Sequence, residues 1–347
     1  MAKYKSGGKK KPNIRLILAC VILGLFVAVL IGGFILFRSY YGLAHYVSDN
    51  HSAEISQDAV DGTRLSAEDE AALAALAPAS AGTEALPENK DLYNILLIGV
   101  DRRDTSWNGN SDSMIVASIN KKTRRIHLIS LMRDLYADIE SYGARKLNAA
   151  CAIGGPKLLV STIESNYRIK IDHYACVDFV SMARIIDLLG GVTIEVSEEE
   201  ATTANGLIQD MCNTQGIDSA GHLYENGAGS YNADGLMAVG YSRIRFVGNS
   251  DYERTERQRF VLSQIMSRVK SMNAQELNAF IRGALPYITH NIDSLSMISL
   301  MAQLPSYRDF ELVQSRVPYD GLYSTQNEIL VPVQPDTNNR IQEELNS

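Results

Sequence analysis

The stretch that decides the fold is Tyr93-Asn-Ile-Leu-Leu-Ile-Gly-Val-Asp-Arg-Arg-Asp104, a short apolar run followed at once by charged residues. A continuous apolar run of this length is typical of a strand that is covered on both faces. Two further strands are predicted over 114–120 and 125–131, and the short link between them predicts a hairpin. We therefore expect a sheet whose central strands are buried between layers of helices.

The rest of the chain alternates helical and strand patterns. Asp178 precedes apolar residues at helical spacing that stop at Gly190-Gly191, which predicts a capped helix over 178–189. The other predicted helices cover 154–166, 252–272, 274–284 and 294–304, and the other predicted strands cover 174–177 and 192–196, with a terminal strand pair at 310–317 and 328–333. This alternation, with a hairpin mixed in, favours an α/β fold in which a mixed central β-sheet is flanked by helices.

The N-terminus carries the pattern of a membrane anchor. Residues 16–37 are 22 residues without a charge, which is long enough for a helix that crosses a bilayer. Only basic charges precede them, so the positive-inside rule places the tail 1–15 in the cytoplasm and the rest of the chain outside. The alternative is a cleaved signal peptide, but the run ends in Phe34-Ile-Leu-Phe-Arg-Ser-Tyr-Tyr41, which is a poor cleavage site.

Composition divides the part of the chain after the predicted anchor, residues 38–347, into three segments. Residues 38–89 are rich in Ala, Asp, Glu and Ser and are interrupted by proline and glycine, which predicts a stalk. The alternative for this stretch is an ordered helix packed on the domain. Residues 90–335 have the length and pattern of one catalytic domain, and residues 336–347 are predicted to be a polar C-terminal tail.

Charge and cysteine usage exclude several classes of function. The formal net charge is −7 although the N-terminal tail is basic, so the exported part is acidic and nucleic-acid binding is not expected. The sequence has no His or Cys cluster with zinc-site spacing. Cys151, Cys176 and Cys212 allow at most one internal disulfide, and the sequence does not decide whether it forms.

Five arginines crowd the stretch 241–259. Arg243 and Arg245 share a face if they lie on a strand, and Arg254 and Arg257 share a face if they lie at the start of a helix. Guanidinium groups from two such elements suit one phosphate-like anion, because they donate in pairs and stay charged. The alternative is a solvated helix face on which the arginines pair with neighbouring acids, namely Asp251, Glu253 and Glu256.

Charged residues also flank three predicted strands. Asp101 follows the first strand, Asp112 precedes the second and Arg133 follows the third. Each alone is explained as a turn residue, but together they lie at strand ends, where ligands of such sheets bind. Two carboxylates beside phosphate-binding arginines predict Mg²⁺. The sequence has no G-x-x-x-x-G-K-[ST] loop, so an external enzyme of this kind is expected to use a lipid-linked diphosphate and not a nucleotide.

Ordered blocks of this sequence resemble the LytR–CpsA–Psr family, the cell-wall glycopolymer transferases of mainly Gram-positive bacteria. The blocks are Asn94–Asp104, Ser111–Ala117, Ile129–Asp134, Lys146–Gly155, Asp187–Val192 and Tyr241–Arg259. The resemblance implies a membrane-anchored transferase with an extracytoplasmic catalytic domain. It would move a glycopolymer, such as teichoic acid or capsule, from a polyprenyl diphosphate carrier to a hydroxyl of peptidoglycan and so form a phosphodiester.

The resemblance also implies the residues of the site. Asp101 and Asp112 are implied as the Mg²⁺ ligands. The implied diphosphate-binding residues are Arg102, Arg133, Lys146, Arg243, Arg245, Arg254, Arg257 and Gln258, and the implied catalytic residues are Asp101, Arg102, Arg133, Arg243 and Arg245. Asp101 and Asp104 are both candidates for the general base. An apolar tunnel for the lipid is expected along the helix faces 179–189 and 260–269.

Two parts of the sequence depart from the family pattern. Ala149 stands where a histidine is common in the family, and the polar stretch 197–228 matches no family pattern and is expected to be a loop over the acceptor side.

Two alternative functions remain open. A hydrolase of the same diphosphate would need the same site. A non-catalytic, membrane-anchored lipid binder or transcription attenuator would need the arginines but not the metal pair.

Overall fold

The structure is a computed structural model that describes residues 42–48, 55–76, 85–101, 109–245, 247 and 250–347. The predicted cytoplasmic tail, the predicted anchor over 16–37, Arg102 and Asp104 lie outside these residues. Among the helices within the described ranges, none combines the length and the hydropathy that crossing a bilayer requires.

Strands and helices alternate along much of the described chain. The strands are β1 (His45–Tyr46), β2 (Leu92–Asp101), β3 (Asn110–Asn120), β4 (Arg125–Leu131), β5 (Tyr136–Ile139), β6 (Gly143–Lys146), β7 (His173–Asp178), β8 (Val192–Val196), β9 (Gly229–Ala233), β10 (Thr289–His290), β11 (Glu311–Val317), β12 (Tyr323–Gln326) and β13 (Ile329–Pro332). The helices are α1 (Gln57–Gly62), α2 (Ala67–Leu76), α3 (Ala149–Tyr167), α4 (Phe179–Leu188), α5 (Glu198–Gln215), α6 (Gly235–Ser242), α7 (Ser250–Ser271), α8 (Ala274–Ala284), α9 (Ser294–Tyr307) and α10 (Asp336–Asn346), with a 3₁₀ turn at Leu285–Tyr287.

Seven of these strands form one mixed sheet in the order β1-β10-β7-β2-β3-β4-β11. The central strand β2 is parallel to β7 and antiparallel to β3. Strand β4 pairs with β3 antiparallel and with β11 parallel. The ends of β2, β4, β7 and β11 and the start of β3 therefore meet at one edge, which we call the charged edge. The predicted mixed sheet and the β3–β4 hairpin are confirmed.

The alternation of side chains along β2 explains why both faces of the sheet are covered. Leu96, Ile98 and Val100 are buried in a core that they share with α3 and α10. Leu97 and Gly99 face the other side, where they line a cavity beneath α4, α7 and α8. Leu97 also packs against a third core cluster that includes Ile115 and Phe310, so the sheet has one core on the first face and both a smaller core and a cavity on the other.

A second core forms from α4, α5, α6, α7 and the antiparallel strand pair β8–β9. Helix α4 begins after Asp178, whose carboxylate accepts a hydrogen bond from the Ser181 amide at 2.8 Å, so the predicted cap is confirmed. Helix α6 packs closely on α4 because Gly235 lacks a side chain. A Cβ at Gly235 would lie 1.9 Å from the carbonyl oxygen of Ala183.

Two predictions next to the arginines are wrong. Residues 197–228 contain helix α5 instead of a long loop, and a capping box between Ser197 and Glu200 starts that helix. Arg243 ends helix α6 instead of lying on a strand, and Arg245 follows it outside any strand. Burial explains the second error, because the apolar residues of α6 are enclosed by the second core.

The two ends of the described chain also differ from expectation. Strands β11 and β13 do not pair with each other, since β11 joins the sheet beside β4 and β13 pairs with β12. Residues 336–347 form α10, whose Ile341 is buried against the sheet, instead of a polar tail. Within 38–89, Ala59 of α1 and Leu73 of α2 are buried, which corresponds to the packed alternative and not to a free stalk.

Candidate active site

The charged edge gathers two of the predicted aspartates. Asp101 is the last residue of β2, and its register partner is Asn110 at the start of β3. The register shifts between Gly99 and Val100, so Asp112 falls between the residues that pair with them. A bulge of this kind re-aims a side chain next to a site. Asp101 and Asp112 therefore belong to the same edge of the sheet.

Arg133 connects Asp112 to the loop that follows β4. Its Nη1 donates to Oδ1 of Asp112 at 3.0 Å, and its Nε donates to Oδ2 of Asp134 at 3.4 Å. Lys146, the last residue of β6, places its Nζ 2.9 Å from Oδ1 of Asp134. Because Asp134 is only 7% exposed, it holds these two cations side by side in a partly dry environment.

Backbone hydrogen bonds also connect the segments that carry Arg133 and Lys146. The Leu147 amide donates to the carbonyl of Leu135 at 2.7 Å, and the Asn148 amide donates to the carbonyl of Arg133 at 3.2 Å. The segment after β6 is therefore joined to the segment after β4. Asp134 was not among the predicted site residues, although its place directly after Arg133 in the sequence was a signal.

Helix α7 presents one face that changes from polar to apolar along its length. Arg254, Gln258, Val261 and Ile265 are spaced by four, three and four residues, so they share this face. Arg254 is buried, and Nε2 of Gln258 donates to the backbone carbonyl of Asp112 at 3.3 Å. Val261 and Ile265 line the cavity. The same face thus leads from the charged edge into the cavity.

The cavity has a volume of about 370 Å³ and lies between the sheet and helices α4, α7 and α8. Both predicted helix faces line it, 179–189 through Phe179, Met182 and Ile185 and 260–269 through Val261, Leu262 and Ile265. The polar side chains in its lining are Ser113, Asp178, Ser242 and Gln258. Ser113 adjoins Asp112 and Asp178 ends β7, so the polar end of the cavity is the charged edge.

Arg243 reaches the same cavity from helix α6. Its guanidinium carbon lies 4.4 Å from the ring centroid of Phe179, which is one of the lining residues. A cation held over an aromatic face keeps its charge while the ring fixes its position. Arg243 is thus placed beside the cavity even though the strand predicted for it does not form.

Arg257 has a different set of neighbours. Its Nε donates to Oε1 of Glu200 at 3.0 Å, and its Nη2 donates to Oε2 of Glu253 at 2.9 Å. Glu253 was one of the partners in the alternative interpretation, but Arg257 is buried instead of solvated. The two carboxylates balance the charge of Arg257. Its pair with Glu200 joins α7 to α5. Its diphosphate contact stays a prediction that these pairs do not favour.

Two of the three thiols in the described ranges are unsuited to nucleophilic chemistry. Cys151 and Cys212 are buried free thiols, and burial raises the pKa of both, which makes them poor nucleophiles. In the same ranges, no three His, Cys, Asp or Glu side chains cluster in a way that could hold a metal ion.

Comparison with protein families identifies the family to which the chain belongs. The LytR_cpsA_psr family model matches residues 45–347, which include the charged edge and the cavity helices. The chain belongs to the LytR_cpsA_psr family. Ala149, where this family often has a histidine, is the buried first residue of α3. The predicted roles of Arg102 and Asp104 in the family site stay predictions, because both residues lie outside the described ranges.

Curated relatives match about half of this family member. The polyisoprenyl-teichoic acid–peptidoglycan teichoic acid transferase TagU of Enterococcus faecalis is 34% identical over 190 residues, which are 54% of this chain and 56% of that protein. The regulatory protein MsrR of Staphylococcus aureus is 29% identical over 206 residues, which are 59% of this chain and 58% of that protein. The chain therefore spans a little more than half the length of these relatives.

Solved structures share the fold. TagT bound to LI-WTA superposes with a TM-score of 0.58 at 23% identity and covers 78% of this chain and 96% of the TagT chain. The LytR-CPS2A-psr family protein YwtF (TagT) with bound octaprenyl pyrophosphate lipid superposes with a TM-score of 0.51 at 22% identity and covers 76% and 92%. At these identities the likeness shows the common fold.

Proposed function

We propose that this protein is a membrane-anchored, extracytoplasmic phosphotransferase. It moves a glycopolymer from a polyprenyl diphosphate carrier to a hydroxyl of peptidoglycan. The observation that carries the proposal is the face of α7 that leads from Arg254 and Gln258 to Val261 and Ile265. A ligand with a charged head and a long apolar tail matches both parts of this face. The name of TagU describes such a transferase, and a TagT structure holds octaprenyl pyrophosphate.

The cavity suits part of a lipid tail. Its volume of about 370 Å³ falls within the ~300–1,000 Å³ of typical ligand pockets. Apart from Ser113, Asp178, Ser242 and Gln258, the side chains around it are apolar. An isoprenoid chain makes no hydrogen bonds that it would lose on moving from water into this cavity. Its burial there is therefore favourable.

The charged edge suits the diphosphate. Arg133 and Lys146 are held together by Asp134, and both side chains are largely shielded from water. Phosphoryl transfer depends mainly on positioning and on neutralisation of charge on the transferred group. In this proposal Arg133, Lys146, Arg243 and Arg254 bind the diphosphate oxygens, while Gln258 fixes the strand that carries Asp112.

The carboxylates fit Mg²⁺ by their chemistry and position. Asp101 and Asp112 offer only oxygen ligands from two adjacent strand ends. Mg²⁺ commonly binds one or two carboxylates and completes its coordination with substrate phosphates and water. Asp112 uses one oxygen to accept from Arg133, and a carboxylate has a second oxygen for a metal. When bound, Mg²⁺ would neutralise part of the charge of the diphosphate.

The proposed reaction is a substitution at phosphorus. The peptidoglycan hydroxyl attacks the phosphorus that bears the glycopolymer, and the bond from this phosphorus to the bridging oxygen breaks. Polyprenyl phosphate leaves with that oxygen, and the new bond completes a phosphodiester between glycopolymer and peptidoglycan. A base takes the hydroxyl proton, and Asp101 and Asp104 remain the candidates for this role.

A transfer assay tests the proposal. The full chain is incubated with a short lipid-linked oligosaccharide, Mg²⁺ and peptidoglycan fragments, and products are identified by mass spectrometry. Attachment of the oligosaccharide to peptidoglycan supports the transferase. Cleavage of the diphosphate without attachment would instead support the hydrolase, and binding without turnover would support the attenuator.

Variants of two arginines connect the assay to the site. Arg243→Ala is expected to lower transfer about 10²-fold, as loss of one charge-stabilising donor does in other enzymes, and to leave the fold intact. Arg340→Ala is the matched control, because Arg340 is a well-exposed arginine of α10 with a weak pair to Glu344 at 3.9 Å. Unfolding of Arg243→Ala without a specific loss of activity would contradict the assignment.

A further inference from the structure

A further carboxylate, that of Glu328, lies beside the cations of the charged edge. Its Oε2 is 3.6 Å from Nζ of Lys146, and Lys146 in turn pairs with Asp134. The side chain of Glu328 is 91% exposed, so a substrate that arrives from solvent can reach its carboxylate. We propose that Glu328 is the general base that takes the proton from the peptidoglycan hydroxyl. This inference rests on the proposed function, because it assigns one step of that reaction to a residue.

Glu328 occupies a strained position in a tight turn. Strands β12 and β13 pair as far as Gln326 and Ile329, which leaves Asn327 and Glu328 as a two-residue turn. Both residues have a positive φ, 47° and 63°. A turn of this kind favours Asn followed by Gly, because glycine adopts this backbone conformation without a steric cost. A glutamate here is held against its backbone preference, and residues of this type cluster at functional sites.

Contacts on both sides of the turn hold it in place. The side-chain amide of Asn327 donates to Oδ1 of Asp69 in α2. The Leu330 amide donates to the carbonyl of Asp134 at 2.9 Å, which joins β13 to the segment after β4. The turn is therefore tied both to α2 and to the residue that holds the two cations. Glu328 keeps its place at the charged edge although its side chain is exposed.

The fold places Glu328 and the cavity on opposite faces of the sheet. Leu330, two residues after Glu328, belongs to the core on the face of Leu96 and Ile98. The cavity lies on the other face, where Leu97 lines it. The charged edge is the end of the strands between these two faces, so it separates Glu328 from the cavity.

A substitution at phosphorus needs this arrangement, because the attacking and leaving oxygens lie roughly in line. With the polyprenyl chain in the cavity, polyprenyl phosphate leaves toward the cavity, and the acceptor hydroxyl attacks from the side of Glu328. The hydroxyl proton passes to the carboxylate of Glu328, and the hydroxyl oxygen bonds to the phosphorus that bears the glycopolymer. The bond from this phosphorus to the bridging oxygen breaks, and its electron pair stays on polyprenyl phosphate.

The diphosphate itself would free Glu328 for this role. The pair between Glu328 and Lys146 is long and exposed, so it contributes little to stability. A diphosphate bound to Lys146 replaces this pair and leaves the carboxylate of Glu328 free to accept a proton. Asp101 is the other described candidate for the base, but its oxygens are proposed to bind Mg²⁺.

Transfer kinetics of the full chain in detergent test the proposal, with a short lipid-linked oligosaccharide, Mg²⁺ and peptidoglycan fragments. Glu328→Gln removes the negative charge and keeps the size of the side chain. We expect kcat to fall about 10²-fold or more, while KM for the donor, calorimetric binding of inorganic diphosphate and the melting temperature stay the same. Glu88→Gln is the matched control, because Glu88 is also exposed and pairs with Lys170 at 3.7 Å. Lys170 precedes β7 at the opposite end of the sheet, so kcat of this variant should not change.

Rescue by a small carboxylate gives a readout that a structural role of Glu328 would not change. Glu328→Ala leaves space where the carboxylate was, and formate can enter this space and accept the proton. We expect formate to raise kcat of Glu328→Ala and to leave kcat of the unmodified chain and of Glu88→Gln unchanged. Formate that raises none of these values would contradict the role of Glu328 as a base.

The remaining outcomes separate this inference from the proposed function. An unchanged kcat of Glu328→Gln would overturn the inference and leave the proposed function intact. A fall in transfer that is matched by a fall in diphosphate binding would show that Glu328 only positions Lys146, which would also overturn the role as a base. No transfer by the unmodified chain would contradict the proposed function and, with it, this inference.

Discussion

Replacement of Asp134 by asparagine probes how the fold holds two cations next to each other. Asp134 is 7% exposed and lies 3.4 Å from Nε of Arg133 and 2.9 Å from Nζ of Lys146. Asparagine keeps the size of the side chain and removes its negative charge. In the variant Asp134→Asn the two cations therefore repel each other in a partly buried place, with less compensation.

The expected loss of stability follows from these contacts. Breaking a fully buried ion pair costs about 3–5 kcal/mol. Solvent screens part of this here, because the side chains of Arg133 and Lys146 are 20% and 28% exposed. We expect the free energy of unfolding to fall by about 1–3 kcal/mol. At ~2–4 °C per kcal/mol for a domain of this size, the melting temperature should drop by about 2–12 °C.

Thermal unfolding of the full chain in detergent measures this loss. Asp320→Asn is the matched control, because Asp320 pairs with Arg316 at 2.6 Å but is 84% exposed. A surface pair of this kind should contribute less than about 1 kcal/mol. If both variants shift the melting temperature equally, or if Asp134→Asn shifts it not at all, the view that Asp134 holds the two cations is refuted.

Three further predictions concern the cavity, the α5–α7 contact and pH. Ile265→Trp should fill the cavity and abolish binding of a long-chain polyprenyl diphosphate by calorimetry, while inorganic diphosphate still binds; unchanged lipid binding would contradict the cavity assignment. Arg257→Met should lower the free energy of unfolding by about 3–5 kcal/mol in denaturant titrations, because Glu200 loses its buried partner, and a fully stable variant would contradict this. Burial lowers the pKa of His127 and His290, so the unfolded chain binds more protons and stability should fall as pH drops below about 6.5. His127→Leu should make melting temperature less dependent on pH in that range, and an unchanged dependence would exclude His127 as its source.

Local signals in the sequence were enough to predict the elements that form the charged edge. The apolar run of β2 and the N-cap Asp178 of α4 both appear at their expected places. Because adjacent strand ends meet at one edge, the sequence also predicted that Asp112 and Arg133 lie together, and their side chains are 3.0 Å apart. The sequence was therefore sufficient to predict which side chains meet at the ends of neighbouring strands.

The errors arose where burial or distant pairing decides the structure. Helix α6 is apolar on all sides, so its pattern has no period that distinguishes a helix from a strand. For α5 a signal was present, since Ser197 and Glu200 have the spacing of a capping box. The partner of Arg257 is Glu200 on this missed helix, and its pairing could not be predicted without it. The place of β11 beside β4 depends on contacts far apart in sequence.

A photoreactive donor tests most directly whether one molecule occupies both the charged edge and the cavity. A polyprenyl diphosphate with a diazirine at the end of its chain is bound to the full protein, irradiated and mapped by mass spectrometry. We predict crosslinks to cavity residues such as Ile265 and Phe280, and we predict that Arg133→Met removes them because the head is no longer held. Crosslinks found only outside the cavity, or cavity crosslinks that Arg133→Met leaves unchanged, would contradict the account.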